Sequence, residues 1–197
     1  MDTALFGSTG RVGSIIAGQL GQKANRLVRT PTGNGVEIKG NVLNQKDIDL
    51  VLEGCDAVIS TLNTDKTDVL SRSMPLILNG MRRHGIKRII TCGTAGILDA
   101  SHSTGLYRFQ SDESKRRSTT AAEDHLSAYL MLKASEMEWT IVCPTYLPDG
   151  ERTGVFRTSE QVLPEGGRSI STHDTADYML KVLDEGLHIR KRVGICY

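Results

Sequence analysis

A glycine-punctuated stretch near the start of the chain limits its fold more than any other feature. The apolar run Ala4, Leu5, Phe6 leads into Gly7-Ser8-Thr9-Gly10-Arg11-Val12-Gly13, whose glycines are spaced G-x-x-G-x-x-G. Beyond them Val12, Ile15, Ile16 and Leu20 fall on one face at helical spacing. A strand, a glycine turn and a helix in that order predict a dinucleotide-binding loop. Gly7 permits the tight turn, and Gly10 lets the backbone approach a pyrophosphate with no Cβ in the way. Gly13 lets the helix pack close to the strand. The N–H groups of the first helical turn, at the positive end of the helix dipole, would hold the phosphates. Ser8, Thr9, Arg11 and Val12 join Gly7 and Gly10 as candidate cofactor-binding residues. A loop that only joins strand to helix is the alternative.

The rest of the chain is read against this anchor. At 197 residues it predicts one domain, 1–197, large enough for a substantial core. A formal net charge of +1 gives no reason to expect nucleic acid or an anionic membrane as a partner. Cys55, Cys92, Cys143 and Cys196 lie far apart without a C-x-x-C pair, which favours reduced thiols over a disulfide frame or a zinc site. With no basic-then-apolar leader and no apolar run of membrane length, a cytoplasmic protein is expected.

Apolar runs alternate with helical patterns down the chain, as in βαβ units with a mostly parallel, doubly wound sheet and helices on both faces. Helices are expected over 11–22, from an Asn44 cap to about 52, through Val69 to Met81, over 123–137 and over 174–183. Pro75 would kink the third of these or mark an early turn. Strands are expected over 4–6, 25–28, 36–38, 57–62, 86–92, 139–143 and 192–196, with 155–158 a further extended stretch. Residues 99–122 are polar and without clear periodicity, which predicts a lid or substrate loop.

Ligands of open α/β sheets lie at the carboxyl ends of strands, and that rule selects further candidates. Arg29 ends the second strand, where an acidic residue would bind the ribose of NAD and an arginine accommodates the 2′-phosphate of NADP. No Asp or Glu lies between Leu27 and Asn34, so NADP(H) is expected over NAD(H). A solvated arginine at a strand end is the alternative. Asn41 and Val42 follow the third strand, Leu62 and Asn63 the fourth, and Cys92 with Thr94 the fifth, while Pro144 ends the sixth.

Taken together, the glycine turn, Leu27-Val28-Arg29, Gly40-Asn41-Val42-Leu43, Asp56-Ala57-Val58-Ile59 and Trp139-Thr140-Ile141-Val142-Cys143-Pro144 resemble the NmrA-like atypical short-chain dehydrogenases. Glu123-Asp124-His125-Leu126, Thr153-Gly154-Val155-Phe156 and Ile170-Ser171-Thr172-His173-Asp174 narrow the resemblance to the flavin reductase/biliverdin reductase B type. The resemblance spans nearly the whole chain and is weakest over 99–122. It implies NADPH-dependent hydride transfer to a flavin or another planar acceptor, a linear tetrapyrrole included, by a monomer or weak dimer. Flavin would then be a substrate rather than a bound cofactor.

Short-chain dehydrogenases pair a serine with Y-x-x-x-K, in which the tyrosine is the acid/base. Tyr129-Leu130-Met131-Leu132-Lys133 fits those letters. Counted back from Pro144, however, it lies about two helical turns late, and the family positions fall at Ala121 and His125. The match is read as accidental. Thr94 takes the place of the family's serine, and His125 matches a histidine of the biliverdin reductase type, able to donate a proton or meet an anionic substrate. Tyr146 stands where that type has another histidine. These three are the candidate catalytic residues, with a β-branched strand end (Thr94) and a surface histidine (His125) as the plainer readings. Lys115-Arg116-Arg117 is read first as a solvated loop, second as a contact for an anionic substrate. A non-catalytic NADP(H) sensor, as in NmrA itself, is the rival function.

Overall fold

The computed structural model describes residues 1–33, 36–64, 67–114 and 118–197, so Lys115-Arg116-Arg117 lies outside the described residues. Among the described residues there are eight strands: β1 (Thr3–Phe6), β2 (Ala24–Val28), β3 (Glu37–Lys39), β4 (Ala57–Ser60), β5 (Arg88–Cys92), β6 (Glu138–Pro144), β7 (Arg157–Glu160) and β8 (Lys191–Cys196). Five helices accompany them: α1 (Arg11–Leu20), α2 (Gln45–Leu52), α3 (Val69–Arg83), α4 (Thr120–Ala134) and α5 (Thr172–Asp184). All the strands join one sheet in the order β3-β2-β1-β4-β5-β6-β8-β7. Of these described strands only β7 runs antiparallel, against β8. The expected doubly wound architecture is therefore the observed one.

Side-chain alternation along the central strands divides the interior into two layers. Ala4 and Phe6, Val58, Ile89, and Ile141 with Cys143 face α2, α3 and α4. Leu5, Ile59, Ile90 and Val142 face α1 and α5. Both faces are covered, which is why these strands read as unbroken apolar runs.

The glycine turn is held by two close approaches. Gly7 has φ +86°, and a Cβ there would stand 2.7 Å from the Thr61 backbone. A Cβ on Gly13 would stand 2.1 Å from the Gly7 carbonyl oxygen and 2.5 Å from Thr61 Oγ1. Thr61 completes the joint, its hydroxyl donating to the carbonyls of Phe6 (3.2 Å) and Gly7 (3.0 Å). That turn away from the sheet ends β4 at Ser60, two residues short of the expected strand.

Several boundaries move for similar local reasons. α1 closes at Leu20 and tightens into a 3-10 turn over Gly21–Lys23. Pro75 sits inside α3 rather than at its first turn. α4 begins at Thr120, ahead of the expected 123, because Ala121 and Ala122 are strong helix formers. The extended stretch expected at 155–158 pairs over Arg157–Glu160 instead, where β8 supplies its partners. Asn44 caps α2 as expected, accepting from Lys46 N–H.

The described part of segment 99–122 packs against α4 and β8. Asp99 bridges to Tyr107, and the Tyr107 ring meets Tyr129 edge-on at 6.3 Å between centroids. The Arg192 guanidinium, buried, lies 4.5 Å from the centre of the Tyr129 ring and donates to Asp99 at 2.7 Å.

The N-terminus of α3 is capped from another helix. Buried Asp124 of α4 accepts from the N–H groups of Leu70 and Ser71, each at 3.0 Å. Replacing it by alanine would leave both donors without this partner. We expect Asp124→Ala to lower unfolding free energy by about 2 kcal/mol. Urea denaturation checks this, with exposed Glu123→Ala as the control, expected to change it by less than ~0.5 kcal/mol.

Candidate active site

After β3 the chain returns across the sheet to β4, so the connections leaving β1 and β4 diverge and open a crevice between them. A cleft of about 680 Å³ lies at the carboxyl ends of the strands there. That is within the range of about 300–1,000 Å³ usual for small-molecule sites. Gly7, Thr9, Gly10, Arg11 and Val12 wall one side, and Arg29, Asn41 and Val42 another. Leu62, Asn63, Cys92 and His125 line the remainder, with Gly93 and Leu147 beside them.

Four of the candidates lie elsewhere. Ser8 is buried within the turn, its hydroxyl without a partner among the described residues. Thr94 Oγ1 accepts from Gly96 N–H and so caps a short 3-10 turn over Ala95–Ile97. Pro144 is committed to β6, in register with Ile195 of β8. Tyr146 is 66% exposed, and its backbone pairs with Ser169. None of the four walls the cleft, nor does any described residue of segment 99–122.

The Y-x-x-x-K letters also resolve. Tyr129 is buried between the Trp139 ring, at 5.7 Å, and the Arg192 guanidinium, while Lys133 is exposed. Tyr129 is absent from the cleft wall.

The electrostatics of the cleft are one-sided. Arg11 and Arg29 are its charged wall residues, and no Asp or Glu joins them among the described residues. Arg29 makes no hydrogen bond or ion pair among the described residues. Arg11 donates to the Leu147 carbonyl at 2.7 Å and to Asp149 at 3.3 Å. Asp47 accepts from the N–H of the wall residue Asn41 at 2.8 Å. Cys92 is a poor nucleophile, because burial pushes its thiol up to about 12 against the opposing pull of Arg11.

These residues fit a bound dinucleotide. Gly10 is the N-cap of α1, with no side-chain cap bond and no acidic residue in the first turn. A Cβ on Gly10 would meet only the Gly7 carbonyl, at 3.3 Å, so its outer side is open to a ligand. The helix terminus thus presents free donors and a positive dipole end to the cleft.

Thr61 and Leu147 are among the wall residues outside the sequence candidates. Thr61 was passed over for Leu62, although it directly follows β4. Leu147 was passed over for Tyr146; the apolar character of Leu147 after β6 was the available signal.

The NAD(P)H-binding family model matches residues 7–186. Among solved structures, a candidate exported protein of Burkholderia pseudomallei is 28% identical, with a TM-score of 0.87 and 100% of each chain covered. A candidate NADH-flavin reductase of Streptococcus pneumoniae TIGR4 is 22% identical with a TM-score of 0.83, over 100% of this chain and 99% of that one. An anaerobilin reductase of Escherichia coli O157:H7 is 17% identical with a TM-score of 0.83, over 100% and 97%. At such identities the latter two share the fold. No helix among the described residues is long and apolar enough to cross a membrane. With the model matching from the glycine turn to the residues just beyond α5, the chain belongs to the NAD(P)H-binding family.

Proposed function

We propose that this chain is an NADPH-dependent oxidoreductase that transfers a hydride to a flavin or a similar planar acceptor. The observation that carries this reading is the course of the cleft. It continues past the glycine turn to His125, Cys92 and Gly93, with Leu62, Val69 and Leu147 as apolar walls. A sensor would need no such space there. The structural likeness to a candidate NADH-flavin reductase and to an anaerobilin reductase supports the same class.

When bound, the reduced nicotinamide supplies the hydride. The chain's own work is then binding and orientation. The first turn of α1 takes the pyrophosphate, and Arg29 meets the 2′-phosphate as a paired, charge-assisted contact. Val42 and Asn41 flank the adenine. The unencumbered floor at Gly93, with Leu62 and Leu147, sets a flat acceptor against the nicotinamide. His125 is the residue placed to give a proton where the acceptor needs one. A flavin can take that proton from water, so the reaction with flavins proceeds without a tyrosine–lysine pair. Thr94 and Tyr146 act at most on the rim of the acceptor site, from the places the fold assigns them.

Consumption of NADPH with FMN, riboflavin and biliverdin, run in parallel with NADH, tests the proposal. Saturable turnover favouring NADPH is expected. Tight binding of NADPH without turnover on any acceptor would overturn the reductase in favour of the sensor. Arg29→Glu should weaken NADPH binding by about a hundredfold or more and NADH binding by less than about threefold; equal losses would remove the 2′-phosphate assignment. His125→Gln should lower turnover of a tetrapyrrole by about a hundredfold, yet change flavin turnover by less than about threefold. Gly10→Ala should keep the melting temperature and lose nucleotide affinity, whereas Gly13→Ala should destabilise the fold by ~2 kcal/mol or more; thermal melts with nucleotide titrations separate the two.

A further inference from the structure

Residues 147–154 run from the cleft wall at Leu147 without secondary structure of their own and are largely exposed. The first turns of α5 carry most of their attachment. Thr172 N–H donates to the Pro148 carbonyl at 3.3 Å, and the His173 ring Nδ1 bonds the Gly150 carbonyl at 2.7 Å. Asp174, fully buried, gathers the far end. Its carboxylate accepts from Thr153 N–H (3.0 Å), the Thr153 hydroxyl (2.6 Å) and Gly154 N–H (2.9 Å). A further donor is the Tyr197 hydroxyl at 2.7 Å, which also accepts from Ser171 N–H at 3.1 Å. At the other end of the segment, Leu147 walls the cleft, and its carbonyl together with Asp149 holds Arg11 of the glycine turn.

A buried carboxylate with this many donors does more than cap a helix. Ser171 already caps α5, accepting from Asp174 N–H, so the Asp174 carboxylate is spent on the segment. We propose that Asp174 is a positioning residue for nucleotide binding, which by tying residues 153–154 to α5 fixes the strap that places Leu147 and the Arg11 guanidinium. This rests on the reading that the cleft takes NADPH. Burial works to raise the pKa of Asp174, and its donors, the Thr153 hydroxyl and Gly154 N–H foremost, outweigh that and bring it down to about 2. The carboxylate is therefore charged at every working pH, and Asp174→Asn removes a charge that is present.

The experiment compares the wild type with Asp174→Asn, Tyr197→Phe and Val182→Ala. Val182 is buried in the same helix, does not line the cleft, and its carbonyl accepts from Arg88 and Leu187 rather than from the strap. NADPH affinity is measured by fluorescence titration, steady-state constants with FMN as acceptor, and amide hydrogen exchange without nucleotide. Asp174→Asn should raise Kd and KM for NADPH together by about tenfold and change kcat by less than about twofold. Tyr197→Phe, which removes one donor, should give about a threefold rise in the same direction. Val182→Ala should leave Kd unchanged although it lowers the melting temperature. Faster exchange in Asp174→Asn should extend across residues 147–154. An unchanged Kd in Asp174→Asn, or an equal rise in Val182→Ala, would overturn the proposal. If Asp174→Asn does not fold, Tyr197→Phe decides on the same terms. Should the wild type bind neither NADPH nor NADH, the proposed function falls by itself. The exchange measurement would then judge the strap, and faster exchange confined to residues 153–154 would refute it.

Discussion

The contact on which the rest of this structure depends is that between Gly13 and the carbonyl of Gly7, closed from below by Thr61. A hydrogen atom in place of a side chain at residue 13 lets the first turn of α1 settle onto the end of β1. The Thr61 hydroxyl then spans from β4 to the same two carbonyl-bearing residues, Phe6 and Gly7. Three segments are thereby fixed at the point where the strand order reverses. The cleft lies there because the connections on either side of that point diverge. An uncapped helix terminus and two arginines give it the chemistry that suits an anion-bearing ligand.

Around that joint, buried polar groups do structural work that apolar burial alone would not specify. Asp124 starts α3, Arg192 binds segment 99–122 to the sheet, and Asp174 binds the strap to α5. Each is a charged side chain whose partners come from distant parts of the chain. Left unpaired in the interior, each would be costly, so the elements that satisfy them are held in one arrangement. The three also lie at different depths from the cleft. Asp124 and Arg192 serve the scaffold, whereas the strap that Asp174 holds supplies one wall residue and the partner of another.

Family membership and fold agree with the resemblance drawn from the motifs, and the chemistry is narrowed by the walls of the cleft. Among the described residues no carboxylate joins the wall, and Arg29 makes no hydrogen bond or ion pair there. Tyr129, packed under Trp139 and Arg192, illustrates how a motif of the right letters can belong to the core. Its helix faces the sheet at that residue, whereas the same helix presents His125, one turn earlier, to the cleft.

Local rules, acting over a few residues, made much of this legible in the sequence. Glycine spacing foretold the β1–α1 turn, apolar runs foretold the buried parallel strands, and Asn44 foretold the start of α2. The strand-end rule likewise pointed to Arg29, Asn41, Val42, Leu62, Asn63 and Cys92, which line the cleft, because crossover connections must leave a parallel sheet at the carboxyl edge. Tertiary structure alone decided the remainder. Thr94 turned to cap its own loop, Tyr146 pointed away to solvent, and Tyr107, within the polar segment, packed on Tyr129 of α4. The Asp174 strap was likewise invisible in the sequence. Its partners lie in the loop before β7 and at the last residue of the chain, and only the folded sheet brings them within hydrogen-bonding distance.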